Sequence, residues 1–124
     1  MNCTAAFEIT QRLDMDAFAN YDVDGFRRLH HPDAVAILPS GRVVRGIDSI
    51  IDALAEHFAH REAVYTWREL HRFVDGCRSA FVLYETAYEI PSSGYQRRAL
   101  TGVSYIHEGG RWLAIADQAS LIRA

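Results

Sequence analysis

The chain has 124 residues, 49% of them hydrophobic and 23% charged, which is the balance of a folded globular protein and excludes intrinsic disorder. Its length suits a single domain, residues 1–124, with one core and room for one pocket. Thirteen basic and sixteen acidic residues leave a formal net charge of −3, so no electrostatic footprint for nucleic acid is expected. All thirteen basic residues are arginine, which rules out Schiff-base chemistry on a lysine side chain. No run approaches the ~20 apolar residues that span a bilayer. The start, Met1-Asn2-Cys3-Thr4, lacks the basic and apolar regions of a signal peptide. The expectation is a cytoplasmic protein with no membrane partner, its two cysteines, Cys3 and Cys77, free thiols.

In chain order, Phe7, Leu13, Ala17, Phe18 and Tyr21 recur at helical spacing and predict a first helix of about four turns. Asp22 is placed to cap a short second helix whose buried side is Phe26 and Leu29. His30-His31-Pro32-Asp33 ends that helix, because the residue before a proline is pushed out of the helical region. Residues 34–38 read as a short apolar strand closed by Pro39-Ser40-Gly41. Ile47, Ile50, Ile51, Leu54 and Phe58 mark one face of a third helix.

The period then changes. Residues 64–74, 79–90, 97–107 and 111–120 read as four long strands, separated by Asp75-Gly76, Ser92-Ser93-Gly94 and Glu108-Gly109-Gly110. Such short connections make an antiparallel meander, and helices followed by strands give the α+β class. In 79–90 and 111–120 both faces carry apolar residues, whereas a sheet with one wet face alternates cleanly. Helices are therefore expected on one face and a second copy of the chain, a homodimer, on the other.

The stretch 19–50, ANYDVDGFRRLHHPDAVAILPSGRVVRGIDSI, and the ending 109–120, GGRWLAIADQAS, resemble the SnoaL-like branch of the nuclear-transport-factor-2-like superfamily. The resemblance implies three N-terminal helices packed in a strongly curved mixed or antiparallel sheet, a cone with an apolar internal pocket, and dimerisation through the outer face of the sheet. Ketosteroid isomerases share this fold, but the positions matching their catalytic residues are Leu38, Asp14 and about Ser104, all different in type. Their proton shuttle is therefore not expected.

The resemblance places Asp14 and Phe18 of the first helix, Ala36 and Leu38 of the first strand, and Leu83, Glu85 and Ala87 in the cavity. It adds Ser104, Ile115, Asp117 and Ala119 of the last two strands. Three carboxyls in apolar surroundings have raised pKa values suited to acid–base work. Asp117 interrupts the apolar run Leu113-Ala114-Ile115-Ala116 and matches the aspartate base of SnoaL-type polyketide cyclases. Asp117, Asp14 and Glu85 are thus the expected catalytic residues, with Phe18, Tyr21, Leu38, Leu83, Ser104 and Ile115 contacting substrate.

The implied activity is cofactor-free general acid–base catalysis on an apolar small molecule, polycyclic ones included, by cyclisation, isomerisation or dehydration. Two alternatives are a non-catalytic dimeric ligand-binding module and an epoxide hydrolase of the limonene-epoxide-hydrolase type. The latter needs an Asp-Arg-Asp set that Arg98 and Asp117 half supply. His57 and His60 lie three apart on one helix face and read as a solvated face rather than metal ligands. His71 and His107 lie on strands and are the histidines considered for the cavity mouth. No phosphate-binding loop is present.

Overall fold

The computed structural model describes residues 2–123. Helix α1 (Cys3–Ala19) opens where the Asn2 side chain accepts the Ala5 N–H, satisfying an otherwise orphan donor. Its buried residues are Phe7, Gln11, Asp14, Met15 and Ala17. Leu13, expected on that face, is exposed: positions 7, 11, 14 and 18 form one inward stripe, and 13 points away from it. Tyr21, with φ 61°, turns the chain into α2 (Val23–Arg28), which Asp22 caps by accepting from Gly25 N–H.

Strand β1 (His30–Ile37) starts four residues before the expected position. The cause is tertiary. The Ala114 N–H donates to Leu29 O, His30 pairs with Ala114, and a register shift between His30 and Val35 accommodates Pro32, which has no N–H to give a ladder. Then follow β2 (Val43–Arg45), α3 (Ile47–Ala53), α4 (Ala55–His60), β3 (Val64–Asp75), β4 (Ser79–Ile90), β5 (Tyr95–Glu108) and β6 (Arg111–Leu121). The expected third helix is two helices, because Leu54 leaves the helical conformation at φ −102°, ψ 13°.

The strands form one open, mixed six-stranded sheet in the order β2-β1-β6-β5-β4-β3. The meander is antiparallel as expected, and β1 joins β6 in parallel. Two apolar clusters fill the concave side. One gathers Phe7, Met15, Val82, Tyr84, Val103, Tyr105 and Trp112 under α1; the other gathers Ala17, Phe26, Ala36, Val44, Ile47 and Ile50 beneath α3. Among the described residues no helix is long and apolar enough to cross a membrane.

The cysteines are not free. The β3–β4 turn folds back onto the first turn of α1, bringing Cys77 and Cys3 to a Cα–Cα distance of 5.3 Å in a disulfide, within the ordinary range for such bonds. A separation of 74 residues hides this pairing from any spacing argument.

Candidate active site

Where the two apolar clusters meet, a cavity of about 140 Å³ remains. Its walls are largely apolar, among them Met15, Phe18, Phe26, Ala36, Leu38, Ile50, Leu54 and Val103. Into it project Asp14 from α1, His30 from β1, Tyr65 from β3, Thr86 from β4, Thr101 from β5 and Asp117 from β6, with Arg97 of β5 also on its wall. Six elements thus deliver polar groups to one small apolar space.

Asp14 is 5% exposed. It accepts a hydrogen bond from the Tyr105 hydroxyl at 2.7 Å, and that hydroxyl lies 3.3 Å from the hydroxyl of Tyr84. Burial raises the Asp14 pKa, while His30 and the Tyr105 hydrogen bond hold it down. Both tyrosines are fully buried, so Asp14 is fixed in place by groups that have no other conformer available without leaving a void.

Asp117 owes its orientation to a bulge. Ser104 pairs with Ala116 and Tyr105 with Ala114, leaving Ile115 as an extra residue. Such an insertion shifts the alternation of everything beyond it. Trp112 and Ala114 face the core; after the bulge Asp117 and Ala119 face inward too. Burial pushes the Asp117 carboxyl up to about 6, with repulsion from Asp14 adding to it and attraction to His30 opposing it.

His30 was read from sequence only as part of a helix end, yet it is 5% exposed and lines the cavity. Its Nδ1 lies 2.7 Å from Phe26 O and 3.9 Å from Asp14 Oδ1. A carbonyl can only accept, so Nδ1 carries a proton and donates it to Phe26 O. Tyr65 completes the polar set: burial pushes its phenol well above the ordinary range, which keeps it a hydrogen-bond donor at all ordinary pH values.

Of the residues expected here, Asp14, Asp117, Phe18, Leu38, Ala36 and Ala119 line the cavity. Glu85 does not. It lies on the other face of the sheet, bound by Arg68 at 2.8 Å and by Arg98, and both guanidiniums hold its pKa down. The inner face of β4 is Val82, Tyr84 and Thr86, each buried, because the large Tyr84 fills the core under α1. A period-2 strand turned by one residue carries every neighbour with it, so Leu83 and Ala87 also leave the cavity wall. Leu83 and Ser104 line a shallow groove on the outer face. Ile115 is the bulge residue and Tyr21 donates its hydroxyl to Ala63 O; neither lines the cavity. Arg98, held by Glu85, supplies no Asp-Arg-Asp set with Asp117.

His57 is a further correction. Rather than facing solvent, it is buried and stacked on Phe18 at 3.8 Å, with Nδ1 2.9 Å from the Tyr88 hydroxyl and Nε2 2.7 Å from Phe18 O. Burial lowers its pKa. His71 is exposed and His107 packs on Trp112; neither lines the cavity. Among the described residues no three His, Cys, Asp or Glu side chains are grouped to hold a metal ion.

The signal for Asp14 was available, since it falls on the Phe7–Phe18 stripe. That for His30 was not, since its position depends on a pairing with β6.

The family model of the SnoaL-like domain matches residues 12–115. The chain belongs to the SnoaL-like family. No curated protein matches it. Among solved structures, a ketosteroid isomerase-like protein from Erwinia carotovora atroseptica is similar with a TM-score of 0.79 at 15% identity, covering 97% of this chain and 96% of that one. An NTF2-like protein from Cytophaga hutchinsonii is similar at 0.75 and 17% identity, covering 98% and 100%. The association domain of C. elegans CaMKII is similar at 0.73 and 19% identity, covering 94% and 93%. At these identities the likeness establishes a shared fold, which in SnoaL-like and related proteins accompanies unrelated tasks.

Proposed function

We propose that this SnoaL-like chain is a cofactor-free enzyme that moves protons on a small, largely apolar carbonyl compound. The observation that carries the reading is the convergence of Asp14, Asp117 and the His30 imidazole on one apolar cavity. A structural carboxyl is ordinarily paired with a cation or kept in water, as Glu85 is; two carboxyls retained in a greasy pocket serve chemistry better than stability.

In this mechanism Asp117, about 6 in pKa and thus ionised at neutral pH, removes a proton from the carbon beside a carbonyl. The electron pair of that C–H bond moves onto the carbonyl oxygen, where a donor must stabilise it; the Tyr65 hydroxyl is the neutral donor on the wall. Return of the proton from Asp117 to a different carbon gives isomerisation. Attack of the carbanion on a second carbonyl, followed by protonation of the new alkoxide by Asp117, gives cyclisation. Asp14 stands beside His30, and the two set the local charge that tunes Asp117.

The size of the cavity narrows the substrate. An apolar cavity near ~150 Å³ takes a benzene-sized molecule, so about one ring fits the interior and a polycyclic body would extend through the mouth. We also propose a homodimer through the outer face of the sheet, supported by the exposure of Phe73, Phe81 and Leu100 there.

The test is deuterium exchange followed by proton NMR on one-ring β,γ-enones and β-diketones. Wild type exchanges their α-protons faster than buffer, and Asp117→Asn loses about 10²–10⁴-fold of the enzymatic rate, the usual share of a general base. A wild type no faster than buffer, or an Asp117→Asn variant with full turnover, refutes the reading and leaves a ligand-binding module.

A further inference from the structure

Beyond the cavity mouth lies an open groove of about 490 Å³ that shares Ile37, Leu38, Pro39, Arg97 and Ala119 with the cavity wall. Among the described residues no carboxylate lines it; Arg97, Arg98 and Arg123 do.

Arg97 differs from its neighbours. It lies on the inward side of β5 with Ala99 and Thr101, half-buried, and its guanidinium rests over the ring of its cross-strand partner Tyr88 at 5.3 Å. Arg98 points the other way and is paired with Glu85, which it shares with Arg68. Arg12, Arg27, Arg68, Arg72 and Arg78 also make ion pairs. Among the described residues Arg97 makes none; nor do Arg28, Arg42, Arg45, Arg61, Arg111 and Arg123, of which Arg123 alone also lines the groove. An aromatic ring holds a guanidinium in place without using its N–H donors, so Arg97 presents a fixed, unspent fork at the junction of cavity and groove.

We propose that the substrate is a carboxylic acid whose carboxylate seats on Arg97 while its apolar body, of about one ring, fills the cavity. This rests on reading the cavity as a substrate site. A planar guanidinium accepts a carboxylate through two parallel hydrogen bonds. The acidic inner end, with Asp14 and Asp117, repels the same group. Charge therefore imposes one orientation, carboxylate at the mouth and the reacting carbonyl inside, and the substrate class is a short cyclic or aryl keto acid.

The experiment compares binding of 4-phenylbutyrate with that of its neutral isostere 4-phenylbutyramide by isothermal titration calorimetry and by amide-shift NMR. Wild type binds the acid about tenfold more tightly than the amide, as expected of a half-exposed charge-assisted pair. In Arg97→Gln the two probes bind alike, the amide as in wild type; Arg97→Lys, keeping charge without the fork, retains part of the preference. Circular dichroism of both variants guards against misfolding. Equal binding of acid and amide by wild type overturns the proposal. So does a preference that survives Arg97→Gln, or no binding of either probe below about 10 mM.

The two readings fail separately. If Asp117→Asn abolishes exchange while the acid preference is absent, the catalytic reading stands and this one falls. If Arg97 governs the preference but Asp117→Asn leaves turnover intact, the cavity is an acid-binding site without proton-transfer chemistry.

Discussion

Replacing Asp117 by asparagine should stabilise the protein, and the gain should depend on pH. The carboxyl titrates near 6 in the folded chain against an ordinary value of 3.8, so the fold holds its proton more tightly than the unfolded chain does. Ionising it therefore costs stability. The cost is absent below 3.8, grows as pH rises from 3.8 towards 6, and is complete above 6. The difference, 6 − 3.8, is about two pH units and corresponds to about 3 kcal/mol. Asparagine keeps the shape and never ionises. Urea unfolding of wild type and Asp117→Asn at pH 8 should differ by up to about 3 kcal/mol in favour of the variant, less whatever its amide leaves unpaired. The advantage should shrink to a small remainder by pH 4 and vanish below about pH 3, where wild type is protonated in both states. Asp14 repels Asp117, so part of the gain at high pH is the relief of that repulsion. A stability difference that is flat from pH 4 to pH 8 refutes the raised pKa of the half-buried Asp117. A stability gain coupled to loss of proton exchange is the pattern expected of a group kept for function.

Tyr105→Phe removes the hydroxyl that binds Asp14 and meets Tyr84. It should destabilise by about 1–3 kcal/mol and raise the Asp14 pKa further, measured by carbon-13 NMR of the carboxyl; an unchanged titration refutes the linkage. Cys77→Ser opens a cross-link between residues 74 apart and should lower stability by up to about 4 kcal/mol on the loop-entropy account. Wild type in dithiothreitol should match the variant, and equal stability with and without reductant counts against the bond. Phe81→Asp puts a charge on the outer face, where Phe81 is 38% exposed and packs on Gly102. Analytical ultracentrifugation should show a dimer for wild type and a monomer for the variant at unchanged circular dichroism; a monomeric wild type refutes the dimer.

How much was legible follows from which features are local. The Asp22 cap, the three tight turns and the four long strands are set by neighbours within a few residues, through capping, turn chemistry and period-2 patterning. They lie where the sequence places them, to within a residue or two at most ends. The motifs of 19–50 and 109–120 carried the family for the same reason. Face assignment was less secure. Both faces of β4 are apolar, so the alternation does not say which one turns inward, and the choice of Leu83, Glu85 and Ala87 over Val82, Tyr84 and Thr86 carried Glu85 into the wrong environment. Tyr84 decides it by filling the space under α1.

The sequence by itself determined the α+β order of elements, the turns, and the presence of carboxyls at Asp14 and Asp117 within apolar patterns, since each depends on residues close in the chain. Only the tertiary structure decided what meets what. The bulge at Ile115 turns Asp117 inward, the β1–β6 pairing brings His30 to the cavity, and the folding back of the β3–β4 turn joins Cys3 to Cys77. These are contacts between segments far apart in the chain, where the deciding energy is packing and pairing rather than local propensity, and no periodicity encodes them.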